Sequence, residues 1–228
     1  MEERELLIGL DLSLASQEVI EILLEDLSDP GIFEEIAKEN IHRPEILMLL
    51  LNTPHVPEEV KKLAAATLNL PSVPSKDLAK VEEGTHERET HPESLLQKIQ
   101  KLSVAQRIQL ALRGGREIRN ILAKDPNKEV SLSVLENAKI TETEVEMIAK
   151  NRSSLDEALR RVSKNRDWMK KYAITFALVT NPKTPPGIAV ALVGDIKTKD
   201  LAMIEMNKNV AEAVRAAAKK LLKFRKSH

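Results

Sequence analysis

The sequence predicts an all-α chain: an α-solenoid in which short helices stack as repeats of about 40 residues, three helices to a repeat, along a right-handed superhelix. Three observations predict it. One landmark recurs: Leu122-Ala-Lys-Asp-Pro126 is answered by Val162-Ser-Lys-Asn-Arg166 and then by Ile204-Glu-Met-Asn-Lys208, at spacings of 40 and 42 residues. A second landmark drifts with the first, since Leu135-Glu-Asn137-Ala-Lys-Ile-Thr141 matches Val179-Thr-Asn181-Pro-Lys-Thr-Pro185 at a spacing of 44. The third is composition. Hydrophobic residues make up 42% of the chain but aromatics only 2%, and a core of Leu, Ile, Val and Ala suits closely packed helices better than a sandwich or barrel.

The 228 residues suffice for a sizeable core or several repeats. The absence of cysteine excludes disulfides, thiolate metal sites and cysteine nucleophiles. Met1-Glu-Glu-Arg-Glu5 lacks the basic head and apolar run of a signal peptide, and no apolar run approaches membrane-spanning length. The expected location is the cytoplasm, with no membrane partner. Zero net charge conceals an asymmetry: residues 1–84 hold 18 acidic and 7 basic residues, residues 85–228 hold 17 and 28. The expected organisation is an acidic N-terminal helical segment over 1–80, a linker or exposed loop over 81–93, and a basic C-terminal helical segment over 94–228.

Residues 4–27 carry Leu6, Leu7, Leu10 and Leu14, then Val19, Ile20, Leu23, Leu24 and Leu27, at helical spacing, for one or two helices. Asp29-Pro-Gly31 breaks the chain. Residues 32–69 read as an earlier, acidic copy of the repeat. Pro44 and Pro57 stand at helix mouths, where a missing N–H costs nothing, and Asn69 to Leu78 starts another helix. Residues 81–93 contain a single strong hydrophobe, Val81. Two short helices follow over 94–112, the second with a capping box at Ser103-Val-Ala-Gln106, and Gly114-Gly115 ends it. The first full triplet is 115–124, 128–137 and 141–150, with a capping box at Thr141 to Glu144. The next is 154–162, 166–180 and 185–193, with Ser154 capping its first helix and Thr184-Pro185 opening its third. Residues 198–205 and 208–225 form a last, incomplete triplet. The helix Asp167–Thr180 is expected to be the most buried, with Trp168, Tyr172 and Phe176 in one row and Met169, Ala173 and Ala177 in the next. Phe176→Ala should then cost about 3–5 kcal/mol.

Residues 103–222 resemble the bacterial HEAT-like, armadillo-type proteins described as leucine-rich-repeat variants. The residues that carry the resemblance are Leu112-Arg-Gly-Gly-Arg-Glu-Ile-Arg-Asn-Ile-Leu-Ala-Lys-Asp-Pro126, Asn181-Pro-Lys-Thr-Pro-Pro-Gly-Ile188 and Asn207-Lys-Asn-Val-Ala-Glu-Ala-Val214. The resemblance implies a superhelix of short helices and no particular activity, because this repeat grammar is shared by proteins of unrelated function. Some members hold an iron–sulfur cluster on cysteines; without cysteine, that property does not transfer.

Catalytic chemistry finds little support, and no catalytic residue, cofactor or metal ligand is expected. The histidine pair His86 and His91 is five residues apart, not the four that put both on one helical face. No Gly-x-Ser-x-Gly or phosphate-loop motif occurs. Gly114-Gly115 beside Arg113, Arg116 and Arg119 reads first as a tight turn and second as an anion cradle. The one functional signal is basic: Arg160, Arg161, Lys164, Arg166, Lys170 and Lys171 gather at one helix junction, and Arg215, Lys219 and Lys223 share a face of the last helix. Stacked repeats would align them into a stripe able to follow phosphates. The apolar run Ile188 to Val193 reads as core, with a docking face as the alternative. The expected function is a non-catalytic scaffold or adaptor presenting its surface to a protein partner. The alternative is sequence-tolerant nucleic-acid binding by the basic C-terminal helices. The sequence does not set the oligomeric state.

Overall fold

The computed structural model describes residues 11–27, 29–70 and 94–226. The described residues form helices and turns without strand. The chain divides into two compact units, Met1–Leu122 and Ala123–His228.

The N-terminal unit begins with a 3-10 turn, Leu12–Leu14, and continues with α1 Gln17–Glu25, α2 Ile32–Glu39, α3 Pro44–Asn52, α4 Glu58–Thr67, α5 Leu95–Lys101, α6 Val104–Arg113 and α7 Arg116–Leu122. Helix α1 is its centre. Val19, Ile20, Ile22, Leu23 and Leu24 are all buried, too wide an apolar arc for one neighbour to cover, and α1 packs against α2, α3, α5 and α6. Polar links follow the same path. Gln106 Nε2 donates to Ser16 Oγ at 2.9 Å, Lys98 pairs with Glu25, and Arg113 reaches Glu35 at 2.7 Å. The expected division at 81–93 lies outside the described residues. The compact units part further on, after Leu122: α5 and α6 pack on α1, α7 packs on α6, and Arg113 of α6 reaches Glu35 of α2. On that division the units carry net charges of −8 and +8. The helix expected from Asn69 to Leu78 and the histidines His86 and His91 fall largely or wholly outside the described residues.

The C-terminal unit contains α8 Lys128–Ser133 with a 3-10 extension Val134–Glu136, α9 Glu142–Lys150, α10 Asp156–Lys164, α11 Arg166–Met169, α12 Tyr172–Thr180, α13 Pro186–Leu192 with a 3-10 extension Val193–Asp195, α14 Thr198–Met206 and α15 Glu212–Lys226. Its apolar interior has two clusters. One gathers Leu132, Val145, Leu159, Val162, Ile174 and Leu178; the other gathers Val179, Val193, Leu201, Ile204, Val214 and Leu222. Helix α12 feeds both. It packs on α9 and on α13, and α15 packs on α13 and α14.

One turn recurs between helices. After α2, α9, α12 and α14, and after the first 3-10 extension, the chain reaches Asn40, Asn151, Asn181, Asn207 and Asn137. The asparagine carbonyl accepts the N–H three residues on, at 2.9 Å from Arg43 and 3.1 Å from Ile140, Ser154, Thr184 and Val210. In four of them the side-chain oxygen also accepts the N–H two residues on, at 2.8 Å from Lys139, 2.9 Å from Ser153 and Lys183, and 3.0 Å from Asn209. This is an Asx turn: the short carboxamide imitates a backbone carbonyl and closes the corner locally. Asn181 adds a link between helices, its Nδ2 donating to the Ala149 carbonyl at 2.7 Å and the Asn151 carbonyl at 3.0 Å.

The capping boxes expected at Ser103 and Thr141 are present, and a further one forms at Ser94 and Gln97. Ser154 does not cap α10. Its Oγ donates back to the Ile148 carbonyl at 2.7 Å, and Leu155 takes the cap position. The helix expected over 167–180 is broken at Lys170-Lys171. Asn165 caps α11 by accepting from the N–H groups of Asp167 and Trp168, whereas Lys171 is extended and starts α12 anew. The break separates Trp168 from the row of Tyr172 and Phe176. All three rings are only half-buried and Ala173 is exposed; the buried face is Ile174, Ala177, Leu178 and Val179. In the run Ile188 to Val193, Ala189 and Val193 are buried, Ile188 and Leu192 half-buried and Val190 exposed.

This burial reverses the expected ranking within α12. Leu178→Ala removes a fully buried side chain and should cost about 2–5 kcal/mol, with Phe176→Ala costing less. Urea unfolding of the two variants checks the order; a larger loss for Phe176→Ala would contradict this packing.

Candidate interaction surface

The candidate basic residues fall into two groups, one in each unit. At the corner between α6 and α7, Gly114 ends α6 in ordinary extended backbone. A side chain there would meet Ile118 Cγ2 and the Leu110 carbonyl at 2.6 Å, so glycine is required by close approach and not by a left-handed conformation. Arg119 is only 4% exposed, and its Nη1 donates to the Gly114 carbonyl at 3.0 Å. It braces the turn and is not placed to meet a ligand. Arg113 is half-buried against Glu35 at 2.7 Å and Glu39 at 3.7 Å, and Arg116 is exposed. The corner is therefore a packed turn whose cations serve the unit's own groups.

In the C-terminal unit, carboxylates interleave with the cations. Arg161 pairs with Glu136, Arg160 with Asp156 at 3.7 Å, Lys170 with Asp167 at 2.6 Å, Lys171 with Glu142 at 2.9 Å and Lys219 with Glu205 at 4.0 Å. Arg166 and Lys223 are exposed, and Arg215 is half-buried with its Nε enclosed. The pairs shift protonation in the expected directions. The hydrogen bond to Lys170 holds the Asp167 carboxyl below the usual range, and Asp167 in turn raises Lys170. Glu157 and Lys128 act on each other in the same way. Exposed pairs of this kind contribute little to stability, but they dilute the field that a row of bare cations would project.

A feature that the sequence reading missed lies where α9, α12 and α14 end. Asn181 binds the end of α9, and Asn181 and Asn207 line one groove together with Lys150, Arg152, Phe176, Ala177, Thr180 and Met203. Helices α12 and α14 supply their last turns in rows of four-residue spacing: Phe176 with Thr180, Ala177 with Asn181, Met203 with Asn207. Met203 is 55% exposed, and Met206, three residues on, is 83% exposed. Among the described residues no carboxylate lines the groove. Lys150 pairs with Glu146 one turn back. Arg152 is exposed and has no carboxylate partner among the described residues. A second depression, at the start of α8 and α10 and the end of α9, mixes apolar Ile148, Leu155 and Ala158 with polar Lys124, Asp125 and Asn151. The sequence did contain one signal: a cation follows the turn asparagine by one or two residues at Lys139, Arg152, Lys183 and Lys208.

The groove's aromatic floor is held from behind. Phe176 stacks against Tyr172 with ring centroids 6.2 Å apart. The Tyr172 hydroxyl donates to Asp200, accepts the Lys197 N–H at 3.2 Å, and has the Lys197 ammonium 4.5 Å above its ring. These bonds tie α12 to the start of α14. The histidines His42 and His55 are exposed, and among the described residues no three His, Asp or Glu side chains converge as metal ligands. No helix there is long and apolar enough to cross a membrane. Comparison with known proteins finds no matching family, no matching curated protein and no matching solved structure.

Burial, followed by the Asp200 carboxylate, raises the Tyr172 hydroxyl pKa above its ordinary value. A raised folded-state value means that this contribution to stability is complete below the unfolded pKa of ~10 and is lost as pH rises through the folded one. Tyr172 is the only tyrosine, so tyrosinate absorbance reads it alone. The expected midpoint lies above that of the unfolded chain, and an equal or lower midpoint would contradict the Tyr172–Asp200 bond.

Proposed function

We propose that the chain is a non-catalytic scaffold, an α-solenoid of HEAT-like, leucine-rich-repeat-variant type acting in the cytoplasm, which presents an extended helical surface to a protein partner. The pairing of helices supports the solenoid. Helix α9 packs on α12 as α13 packs on α15; in each case the third helix of one sequence repeat meets the second helix of the next, as expected of stacked units. The observation that carries the scaffold reading is the groove at the ends of α9, α12 and α14. It joins an apolar floor, including an exposed methionine, to a cationic rim free of carboxylates. A protein partner can use both parts. The nucleic-acid alternative draws on the exposed Arg166 and Lys223 and on the unit's net positive charge. It is weakened by the carboxylates paired with Arg160, Arg161, Lys170, Lys171 and Lys219, and no exposed aromatic row offers a stacking platform.

Two measurements on the intact chain separate the readings; α5–α7 pack in the N-terminal unit, so a fragment starting at residue 94 would strip them of their partners. Affinity capture should recover a defined protein at a fixed molar ratio, and recovery of nucleic acid alone would count against the scaffold. Titration with duplex DNA and RNA should show at most weak binding that salt abolishes. Tight binding at physiological salt would put the alternative first.

A further inference from the structure

We infer that the groove at the ends of α9, α12 and α14 seats an acidic peptide segment that carries an apolar anchor side chain. The inference rests on the scaffold reading and names the chemistry of the partner. The space is about 340 Å³, near the lower end of ligand pockets at roughly 300–1,000 Å³, which suits one or two side chains rather than an enclosed cofactor. Its floor is the Phe176 ring, Ala177 and the Met203 thioether. Methionine is unbranched and polarizable, so it adapts to an inserted side chain without fixing a single shape. Met206 extends the apolar strip at the surface.

The floor's own polar groups are largely engaged. Thr180 Oγ1 donates to the Phe176 carbonyl at 2.8 Å, and the Asn181 carboxamide is spent on Ala149, Asn151 and Lys183. Asn207 differs: its oxygen accepts from Asn209, while its amide N–H groups have no partner among the described residues and face a ligand carbonyl's requirements well. The rim decides the sign of the charge. Arg152 is unpaired among the described residues, and Lys150 holds only Glu146 in an exposed pair that a ligand carboxylate can replace at small cost. Lys183 and Lys208 stand on the adjoining turns. Of the nearest carboxylates on the contributing helices, Glu205 pairs with Lys219 at 4.0 Å; a ligand that takes Lys150 leaves Glu146 without its partner one turn back, so Arg152, Lys183 and Lys208 set the sign. Lys150 in the last turn of α9 also complements that helix's dipole, and Arg152 lies beyond that turn. A nucleic-acid strand would use the cations but leave the methionine and phenylalanine floor without a role. An acidic peptide with an anchor uses both.

The test is fluorescence anisotropy on the intact chain with a labelled Glu/Asp peptide that has a central leucine. Three comparison probes are the same peptide with serine for leucine, its lysine counterpart and a single-stranded DNA oligonucleotide. The leucine peptide should bind best, and Lys150→Glu with Arg152→Glu should weaken it at least tenfold, about 1.4 kcal/mol. Met203→Ser should weaken the leucine peptide but not the serine peptide. These positions are exposed or at the rim, so an unchanged far-ultraviolet spectrum confirms that the variants fold, with only a small drop in the melt from the lost Lys150–Glu146 pair and the reversed charge at the end of α9. Equal binding of the serine peptide or DNA would reduce the groove to general polyanion attraction and overturn the inference, as would no binding or indifference to all three substitutions. If a captured partner binds the charge-reversed chain as tightly as the original, the scaffold reading stands and this groove is not its seat.

Discussion

The asparagine turn is the constraint on which the structure depends. A short helix of eight or nine residues is marginal alone, and its last carbonyls and the first N–H groups of the next helix need partners. One asparagine meets several of these needs at once. Its backbone N–H closes the helix before it, its carbonyl takes the N–H three residues on, and its side chain takes the N–H between. The corner is thereby fixed within a few residues, and helices on either side can commit their apolar faces to neighbours. At Asn181 the carboxamide reaches back to the end of α9 as well, so the corner that shapes α12 also sets where α12 lies on α9. The side chain is buried, and losing such a bond costs the desolvation of the groups left behind, roughly 1–3 kcal/mol.

Much of this was legible because the constraint is local. Asn137, Asn181 and Asn207 mark their turns in the sequence, and the capping boxes at Ser103 and Thr141 announce helix starts through side chains three residues apart. What could not be read depends on tertiary neighbours. Ser154 had the spacing of a cap, but the Ile148 carbonyl, six residues back, claimed its hydroxyl. Arg113 and Arg119 looked like surface cations until Glu35, 78 residues away, and the Gly114 carbonyl took their guanidinium groups. The grouping of the chain after Leu122 likewise depends on distant partners: α5 and α6 pack on α1, with Lys98 paired to Glu25 and Arg113 to Glu35. The continuous helix over 167–180 satisfied every periodicity rule. It breaks where the Lys170 and Lys171 N–H groups turn back to the Asp167 and Trp168 carbonyls and Lys171 becomes extended.

The groove illustrates the limit best. Phe176, Met203 and Arg152 lie on separate helices and turns; the sequence marked Phe176 only as core and singled out neither of the other two. They meet only because the turns after α9, α12 and α14 come to the same edge. That edge holds an apolar floor and unspent positive charge together, whereas the basic residues that stood out in the sequence are largely occupied by carboxylates. Function in such a chain is read better from what the turns bring together than from the density of charge along a helix.

The central claim is that Asn181 ties its own turn to the end of α9, and its side-chain amide reports on this directly. Hydrogen exchange by nuclear magnetic resonance should find the Asn181 side-chain N–H2 group protected, with through-space contacts to Ala149 and Asn151, while that of Asn207 exchanges freely. Equally rapid exchange at the two asparagines would contradict the account.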